Sequence, residues 1–351
     1  MARDPIRVLI VDDSALMRAT IKKLLEQDPE VLVVDTAHNG PIALKKIQKV
    51  VPDVVTLDVE MPGMDGMILL DAVMSRHPLP VIMVSTLTQE GAPKTVEALA
   101  KGAVDCLGKP TGEEGETLQE MGDCLVAKVK AAATAKVGRR KPAALQGGIH
   151  SEADFEGSQG DPGQIIAVGA SMGGPATLLD LFAKLPVRTP PILITQHMPK
   201  GFTKSFAERL DSVAAIPVHE AVHGEPVVPC RAYLAPGDMH MALVEREGKY
   251  RVDLRGGASV CGHKPSVEVL FRSVAKAAGD KSVGILMTGM GHDGAEGLGA
   301  IKDAGGRAFA QNEESSVVYG MPSAAKRLGT LEAELDLPGI LSWLSGSPLP
   351  V

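Results

Sequence analysis

One pattern limits this chain more than any other: short runs of β-branched and other apolar residues alternate with stretches of helical period, along almost the whole length. Before residue 125 the apolar runs lie at residues 6–11, 31–36, 54–57, 81–84 and 103–107. The first helix is predicted over 15–26, with Leu16, Ala19, Ile21, Leu24 and Leu25 largely on one side. Strands that alternate with helices in this way build parallel sheets, because each crossover helix returns the chain to the same edge. Ligands of such sheets bind beyond the carboxyl ends of the strands. After residue 163 the pattern resumes at 165–168, 192–195 and 283–287, and residues 232–254 read as a strand-rich hairpin region turning at Glu247-Gly248-Lys249. The expectation is two α/β units: a five-stranded doubly wound domain, then a mostly parallel α/β domain with an antiparallel hairpin.

The pattern breaks once. Between about 127 and 163, Ala/Lys-rich sequence gives way to Gly-Arg-Arg-Lys-Pro and then to Gly, Ser, Glu and Asp with few large apolar residues, which cannot bury themselves. The expected boundaries are 1–125 for the first domain, 126–162 for a linker and 163–351 for the second domain. The net charge of −7 is concentrated in the first domain, where 12 Lys+Arg face 20 Asp+Glu. That acidity, with 3% aromatics, argues against nucleic acid as a partner. No run approaches the ~18 apolar residues of a membrane span, and the N-terminal residues lead straight into a strand-like segment, so a cytoplasmic protein without membrane insertion is expected. Cys106, Cys124, Cys230 and Cys261 form no close pair and are expected as small apolar fillers.

The first chemical signal is acidic. Asp12 and Asp13 follow the first strand and Asp58 the third, so a parallel sheet brings three carboxylates to one edge. Like charges gathered there call for a hard cation with oxygen ligands, and Mg²⁺ is the natural one. Ser85 follows the fourth strand and Lys109 the fifth, adding a hydroxyl and an ammonium that can stabilise a phosphoryl group on a nucleophilic Asp.

With V-D-D-S at 11–14, L-D-V-E-M-P-G-M-D-G at 57–66 and G-K-P at 108–110, residues 5–125 resemble the receiver domains of response regulators. The resemblance implies a flavodoxin-like (βα)5 fold, phosphorylation of Asp58 by a histidine kinase, and Mg²⁺ held by Asp12, Asp13, Asp58 and the carbonyl of Glu60. It also implies Ser85 as switch hydroxyl and Lys109 as phosphate-binding lysine. The family's usual aromatic residue three positions before the lysine is Cys106 here.

The second signal is a nucleophile. After residues 165–168 comes Gly169-Ala170-Ser171-Met172-Gly173-Gly174-Pro175, a tight turn that would expose Ser171 near the positive end of a helix. It satisfies G-x-S-x-G, yet on this segment alone a phosphate-binding glycine turn reads equally well. A base is needed. His197 follows residues 192–195 and would share the sheet edge with Ser171, while His240, His263 and His292 are rivals in Gly- or Pro-flanked loops. Asp293, after the run 283–287, supplies an acid. The order Ser, His, Asp departs from that of α/β-hydrolases, and a triad is in any case defined by geometry.

The strings around these residues extend the match: Q-H-M-P-K-G-F-T-K-S-F-A-E-R-L from Gln196, A-P-G-D-M-H-M from Ala235, G-H-K-P-S-V-E-V-L-F from Gly262, T-G-M-G-H-D-G-A from Thr288 and A-Q-N-E-E-S-S-V-V-Y-G-M-P from Ala310. Over 163–330 the chain resembles the chemotaxis protein-glutamate methylesterases, the CheB family. The resemblance implies that Ser171 attacks a methyl-ester carbonyl on a chemoreceptor's cytoplasmic domain, with His197 as general base and then acid and Asp293 orienting it. Backbone N–H groups of Met290 and Met172 would hold the oxyanion, and the esterase needs no cofactor. Where the family usually has Thr, this chain has Met172. Deamidation of receptor glutamines is a further activity of the family, and its unphosphorylated receiver blocks the catalytic face. The competing reading is a non-catalytic module whose partner binding is controlled by phosphorylation.

Overall fold

The computed structural model describes residues 4–61, 65–86, 91–109, 118–138 and 163–346. The chain divides into two compact units, Met1–Pro142 and Ala143–Val351. The expected linker begins inside the last helix of the first unit, and its residues 139–162 lie outside the described residues, as does Pro110.

In the first unit β1 (Ile6–Val11), α1 (Ala15–Leu25), β2 (Val31–Ala37), α2 (Gly40–Val50) and β3 (Val54–Asp58) are followed by α3 (Gly66–Arg76), β4 (Val81–Thr86), α4 (Gly91–Ala100), β5 (Asp105–Lys109) and α5 (Leu118–Ala132). The strands pair in parallel in the order β2-β1-β3-β4-β5. Val8, Leu9, Ile10 and Val11 are all buried, as a central strand covered on both faces requires. Side-chain caps start the helices: Ser14 Oγ accepts from the Met17 N–H, and Asn39 Oδ1 from the Ile42 N–H.

Two expectations shift. In α1 the buried residues are Ile21, Leu24 and Leu25, all in the second half of the helix, whereas Leu16 in its first turn is 78% exposed. β5 runs two residues later than expected, since the Ala103 N–H donates to the Ala98 carbonyl and still belongs to the turn that closes α4.

The second unit contains β6 (Ile165–Ala170), α6 (Gly174–Phe182), β7 (Ile192–Gln196), α7 (Phe202–Asp211), β8 (Val218–Glu220), β9 (Ala232–Leu234), β10 (His240–Arg246) and β11 (Lys249–Arg255). It continues with α8 (Val267–Ala278), β12 (Ser282–Leu286), α9 (Ala295–Asp303), β13 (Arg307–Gln311), α10 (Met321–Leu328), β14 (Ala333–Leu335) and α11 (Leu337–Leu344). Seven strands form a parallel sheet in the order β14-β13-β12-β6-β7-β9-β8. The antiparallel hairpin is β10–β11 alone, with Arg246 opposite Lys249 and Glu247-Gly248 at the turn. The start of the expected hairpin region, β9, belongs instead to the parallel sheet, where it pairs with β7 and β8. Beneath this sheet Phe271 and Val274 of α8 pack with Leu298 and Ile301 of α9. Trp343 of α11 lies on the core as expected, its ring 4.9 Å from that of Phe309.

Only Cys106 fits the filler expectation: it is buried, and burial pushes its thiol up to about 12. Cys124 and Cys261 are exposed. Among the described residues no helix is long and apolar enough to cross a membrane.

Beside Cys106, Lys128 of α5 pairs with Asp105 of β5, both largely buried. Burial opposes the ammonium, but the carboxylate raises its pKa above the usual lysine value. Removing one partner strands a buried charge, so Lys128→Met should destabilise the first unit by about 3 kcal/mol. The double variant Lys128→Met/Asp105→Leu should recover most of that loss in chemical denaturation; a double-variant loss equal to the sum of the Lys128→Met and Asp105→Leu single losses would show that the pair carries no coupling.

Candidate active site

Sheet register assembles the first cluster. Val11 pairs with Leu57 and Thr86 with Lys109, so Asp12 follows β1 directly while Asp58 ends β3 and Lys109 ends β5. Asp12 and Asp58 are buried, and carboxylate oxygens of Asp12, Asp13 and Asp58 lie within 4.8 Å of one another. The Lys109 Nζ reaches Asp58 Oδ2 at 2.7 Å and Asp12 Oδ2 at 2.9 Å. Burial pushes the Asp58 carboxyl above its usual range; Lys109 opposes this and the Asp12 charge adds to it. Lys109 itself is held above the usual lysine value, because its bonds to Asp58 and Asp12 outweigh its burial. Three carboxylates against one ammonium, all oxygen donors, are a donor set that suits a hard divalent cation.

Ser85 is buried on β4 opposite Gly108. Exposed Glu60 touches the cluster through its backbone N–H, 3.2 Å from Asp58 Oδ1. Sequence reasoning passed over Gly66. A Cβ there would sit 2.2 Å from the Asp58 carbonyl oxygen, so α3 can start this close to the acid only with glycine.

The second cluster is built by the same rule. Ala170 pairs with Gln196, which makes Ser171 and His197 the next residues on neighbouring strands β6 and β7. The His197 N–H donates to the Ala170 carbonyl, and the Ser171 N–H to the Thr288 carbonyl, so β7 and the segment after β12 grip the turn from either side. Gly289 has no room for a side chain: a Cβ would lie 2.7 Å from the Ser171 Cβ. Ser171 is 5% exposed, just before α6.

His197 Nε2 lies 2.8 Å from Asp293 Oδ2, which selects it from the candidate histidines as the partner of the acid. Its other nitrogen, Nδ1, is buried and has no hydrogen-bond partner among the described residues. Asp293, 1% exposed, also accepts bonds from Ser266 Oγ and Glu268 N–H on Oδ1 and from Val267 N–H on Oδ2. Those N–H groups open α8, where the helix dipole favours an anion. Burial alone would raise the Asp293 carboxyl; the bonds from His197, Glu268 and Val267 hold it below the usual carboxylate range.

The rival histidines take other places. His240 is buried, with Nε2 3.0 Å from the Ala258 carbonyl and Nδ1 accepting from the Ser266 N–H, so it supports the residue that supports Asp293. His263 stacks on His197 at 3.7 Å between ring centres and 6° between planes. His292 is exposed in its loop.

Met172 is fully buried, so its side chain fills space where a threonine would offer a hydroxyl, and Met290 is half-buried after Gly289. Neither backbone N–H is taken up by another described group. Sequence reasoning missed Gln196 as a functional residue. Its buried amide donates from Nε2 to the carbonyls of both Ser171 and His197, at 2.9 and 3.1 Å, tying the two residues together. The signal was its place at the strand end, immediately before His197.

Comparison with known proteins agrees with this picture. Residues 166–344 match the CheB methylesterase family and residues 8–120 the response regulator receiver domain. The chain is 43% identical over 333 residues to protein-glutamate methylesterase/protein-glutamine glutaminase 2 of Shewanella oneidensis, covering 95% of each chain. It is 47% identical over 334 residues to protein-glutamate methylesterase/protein-glutamine glutaminase 1 of Caulobacter vibrioides, again covering 95% of each. Its structure is similar to that of the Thermotoga maritima CheB methylesterase catalytic domain, at 37% identity and a TM-score of 0.51, over 52% of this chain and 96% of that one. Strand-end placement of a serine, a histidine and a buried acid, and near-full-length similarity to such enzymes, lead to one conclusion: the chain belongs to the CheB methylesterase family and carries a response regulator receiver domain at its N-terminal end.

Proposed function

We propose that the protein is a phosphorylation-controlled serine esterase that hydrolyses glutamate methyl esters on the cytoplasmic domains of chemoreceptors, and by the same acyl-enzyme chemistry deamidates receptor glutamines. The observation that carries this reading is the 2.8 Å His197–Asp293 contact beside Ser171 on adjacent strand ends. The division of labour is a receiver that ends with α5, a tether that follows it and an esterase over 163–351, in a cytoplasmic protein.

The chemistry follows from which nitrogen is occupied. A depressed carboxylate at Nε2 keeps the proton there, so Nδ1 carries the lone pair that takes the Ser171 proton. Ser171 Oγ attacks the ester carbonyl, and the Met290 and Met172 N–H groups receive the oxyanion. His197 then protonates the departing methoxide, giving methanol, and activates the water that releases the glutamate. Asp293 remains ionised throughout and balances the imidazolium. No step needs a cofactor.

In the receiver, Asp58 accepts a phosphoryl group from a histidine kinase, while Lys109 and Ser85 bind its oxygens. Asp12, Asp13, Asp58 and the Glu60 carbonyl would hold Mg²⁺, whose charge offsets that of the incoming phosphate.

Ser171→Ala should lower methanol release from methylated receptor by at least ~10⁴-fold with the fold intact by circular dichroism; wild-type turnover would remove Ser171 from the mechanism. Asp293 gives a pH signature. Its folded pKa lies below the ordinary 3.8, so it adds stability above that value and loses it as pH falls through the folded pKa. Asp293→Asn should remove that contribution and flatten acid denaturation there, besides lowering turnover; an unchanged acid transition would contradict the assigned bonding. Acetyl phosphate with Mg²⁺ should raise esterase activity, and Mg²⁺ alone should raise the melting temperature of the receiver. Both responses should vanish in Asp58→Ala, and their persistence there would assign the phosphoryl and metal site elsewhere.

A further inference from the structure

The proposed oxyanion donors, the N–H groups of Met172 and Met290, belong to two peptide groups, and each is aimed through its carbonyl. A peptide is planar and trans, so its C=O and N–H point in opposite directions and fixing one directs the other. The Ser171 carbonyl accepts from the Gly174 N–H at 2.8 Å and from Gln196 Nε2 at 2.9 Å, which turns the Met172 N–H the other way. The Gly289 carbonyl accepts from the Gly320 and Met321 N–H groups at 3.0 and 2.9 Å, which does the same for the Met290 N–H. These four bonds orient each peptide separately. Two donors serve one oxyanion only when both come within ~3 Å of the same oxygen, and here they follow different strands, β6 and β12.

Thr288 joins the two segments. Its carbonyl accepts from the Ser171 N–H at 3.0 Å, and its hydroxyl oxygen lies 2.9 Å from the Met172 carbonyl. The residue is fully buried, and its other polar contacts are made as well: its N–H donates to Gln311 Oε1 at 2.9 Å, and its hydroxyl accepts from the Val318 N–H at 2.9 Å. The single hydroxyl proton has two carbonyls in reach, Met172 at 2.9 Å and Val318 at 3.2 Å. The Val318 carbonyl already accepts from the Gly289 N–H, so the proton goes to Met172. Met172 is thereby held on both flanking peptides, through the Ser171 carbonyl before it and through its own carbonyl after it. We infer that Thr288 is the positioning residue of the oxyanion site, bonded to Ser171 and Met172 on one side and leading directly into Gly289 and Met290 on the other, so that the two N–H groups converge. This role rests on the serine-esterase reading. A threonine that merely filled space would be replaced without loss by valine, which has its shape but no hydroxyl. Valine here deprives the Val318 N–H and the Met172 carbonyl of a partner in a dry site, and Met172 is then free to turn.

The test compares the full-length wild type with Thr288→Val, Thr288→Ala and Thr288→Ser, all treated with acetyl phosphate and Mg²⁺, in methyl release from methylated receptor. Melting curves establish that each variant is folded. Thr288→Val and Thr288→Ala should lower kcat by ~10- to 100-fold with KM unchanged, because preorganised donors act on the transition state and not on the bound ester. Thr288→Ser, which keeps the hydroxyl, should restore most of kcat. A glutamyl peptide carrying a side-chain trifluoromethyl ketone adds the Ser171 hydroxyl and becomes an anionic hemiketal. Its affinity should fall in the valine and alanine variants by the factor lost in kcat/KM, whereas the corresponding uncharged alcohol should bind all four proteins alike. The acid limb of the kcat/KM profile should stay in place, because the His197–Asp293 bond is untouched. Wild-type kcat without the hydroxyl, or a serine variant as slow as the valine one, would overturn the role of Thr288. So would equal weakening of ketone and alcohol, the mark of a pocket that has only loosened. Ser171→Ala separates the two levels. Wild-type turnover in that variant would remove the catalytic reading and this role with it, whereas an inactive Ser171→Ala beside a fully active Thr288→Val would remove the role of Thr288 alone.

Discussion

A carboxylate that is 1% exposed survives in a folded chain only where donors replace the water it has lost, and the catalytic unit is organised around that requirement at Asp293. Four donors meet it: two N–H groups from the first turn of α8, the Ser266 hydroxyl and the His197 ring. Each partner is held in turn. Ser266 is fixed by His240, and His197 by the Ala170 carbonyl on its backbone N–H and by Gln196 on its carbonyl. Orientation of the base is therefore a consequence of solvating the acid. An imidazole that left would strip Asp293 of a donor, which is costly in a dry site.

The receiver cluster solves the converse problem. Among the described residues the carboxylates of Asp12 and Asp58 are paired with Lys109, while Arg18 bonds the backbone carbonyls of Asp12 and Asp13, and burial with mutual repulsion pushes Asp58 up instead of down. A site left undercompensated in this way is receptive to added positive charge. Asp293 is electrostatically finished, as the proposed role of holding a proton carrier still requires; Asp58 is unfinished, as the proposed role of a modified residue requires. The same fold principle, chemistry placed where parallel strands end, yields a rigid site in one unit and a responsive one in the other.

Much of this was legible because strand ends can be read from β-branched runs. Asp58, Ser171 and His197 are each at or one residue beyond the end of a strand, Asp293 lies in the loop that follows β12, and register alone brings Ser171 beside His197. The unreadable parts are those that depend on contacts distant in sequence. His240 meets Ser266 across 26 residues, and Ser266 meets Asp293 across 27, with no local pattern to announce either bond. The three-residue strands β8, β9 and β14 are too short to show periodicity, so β9 was merged with the hairpin although its partners are β7 and β8. Leu16 misled because helical period locates a face without saying how far along the helix the core extends.

The position of His197 determines which of its nitrogens would serve as base in the proposed mechanism. Its backbone is pinned at the strand end, and α8 supplies Asp293 with N–H donors, so the acid is anchored on that side of the ring. The nitrogen facing the acid is Nε2, so in the proposed mechanism Nδ1, the atom nearer the backbone, is the one that serves Ser171. A base acting through Nδ1 brings its own main chain close to the nucleophile, and adjacent parallel strands supply that proximity. Gln196, with one amide bonded to the carbonyls of both residues, links the two strand ends a second time. The arrangement of Ser171, His197 and Asp293 is thus set by backbone register first and by side chains second, which is how residues in an order foreign to α/β-hydrolases would converge on the proposed chemistry.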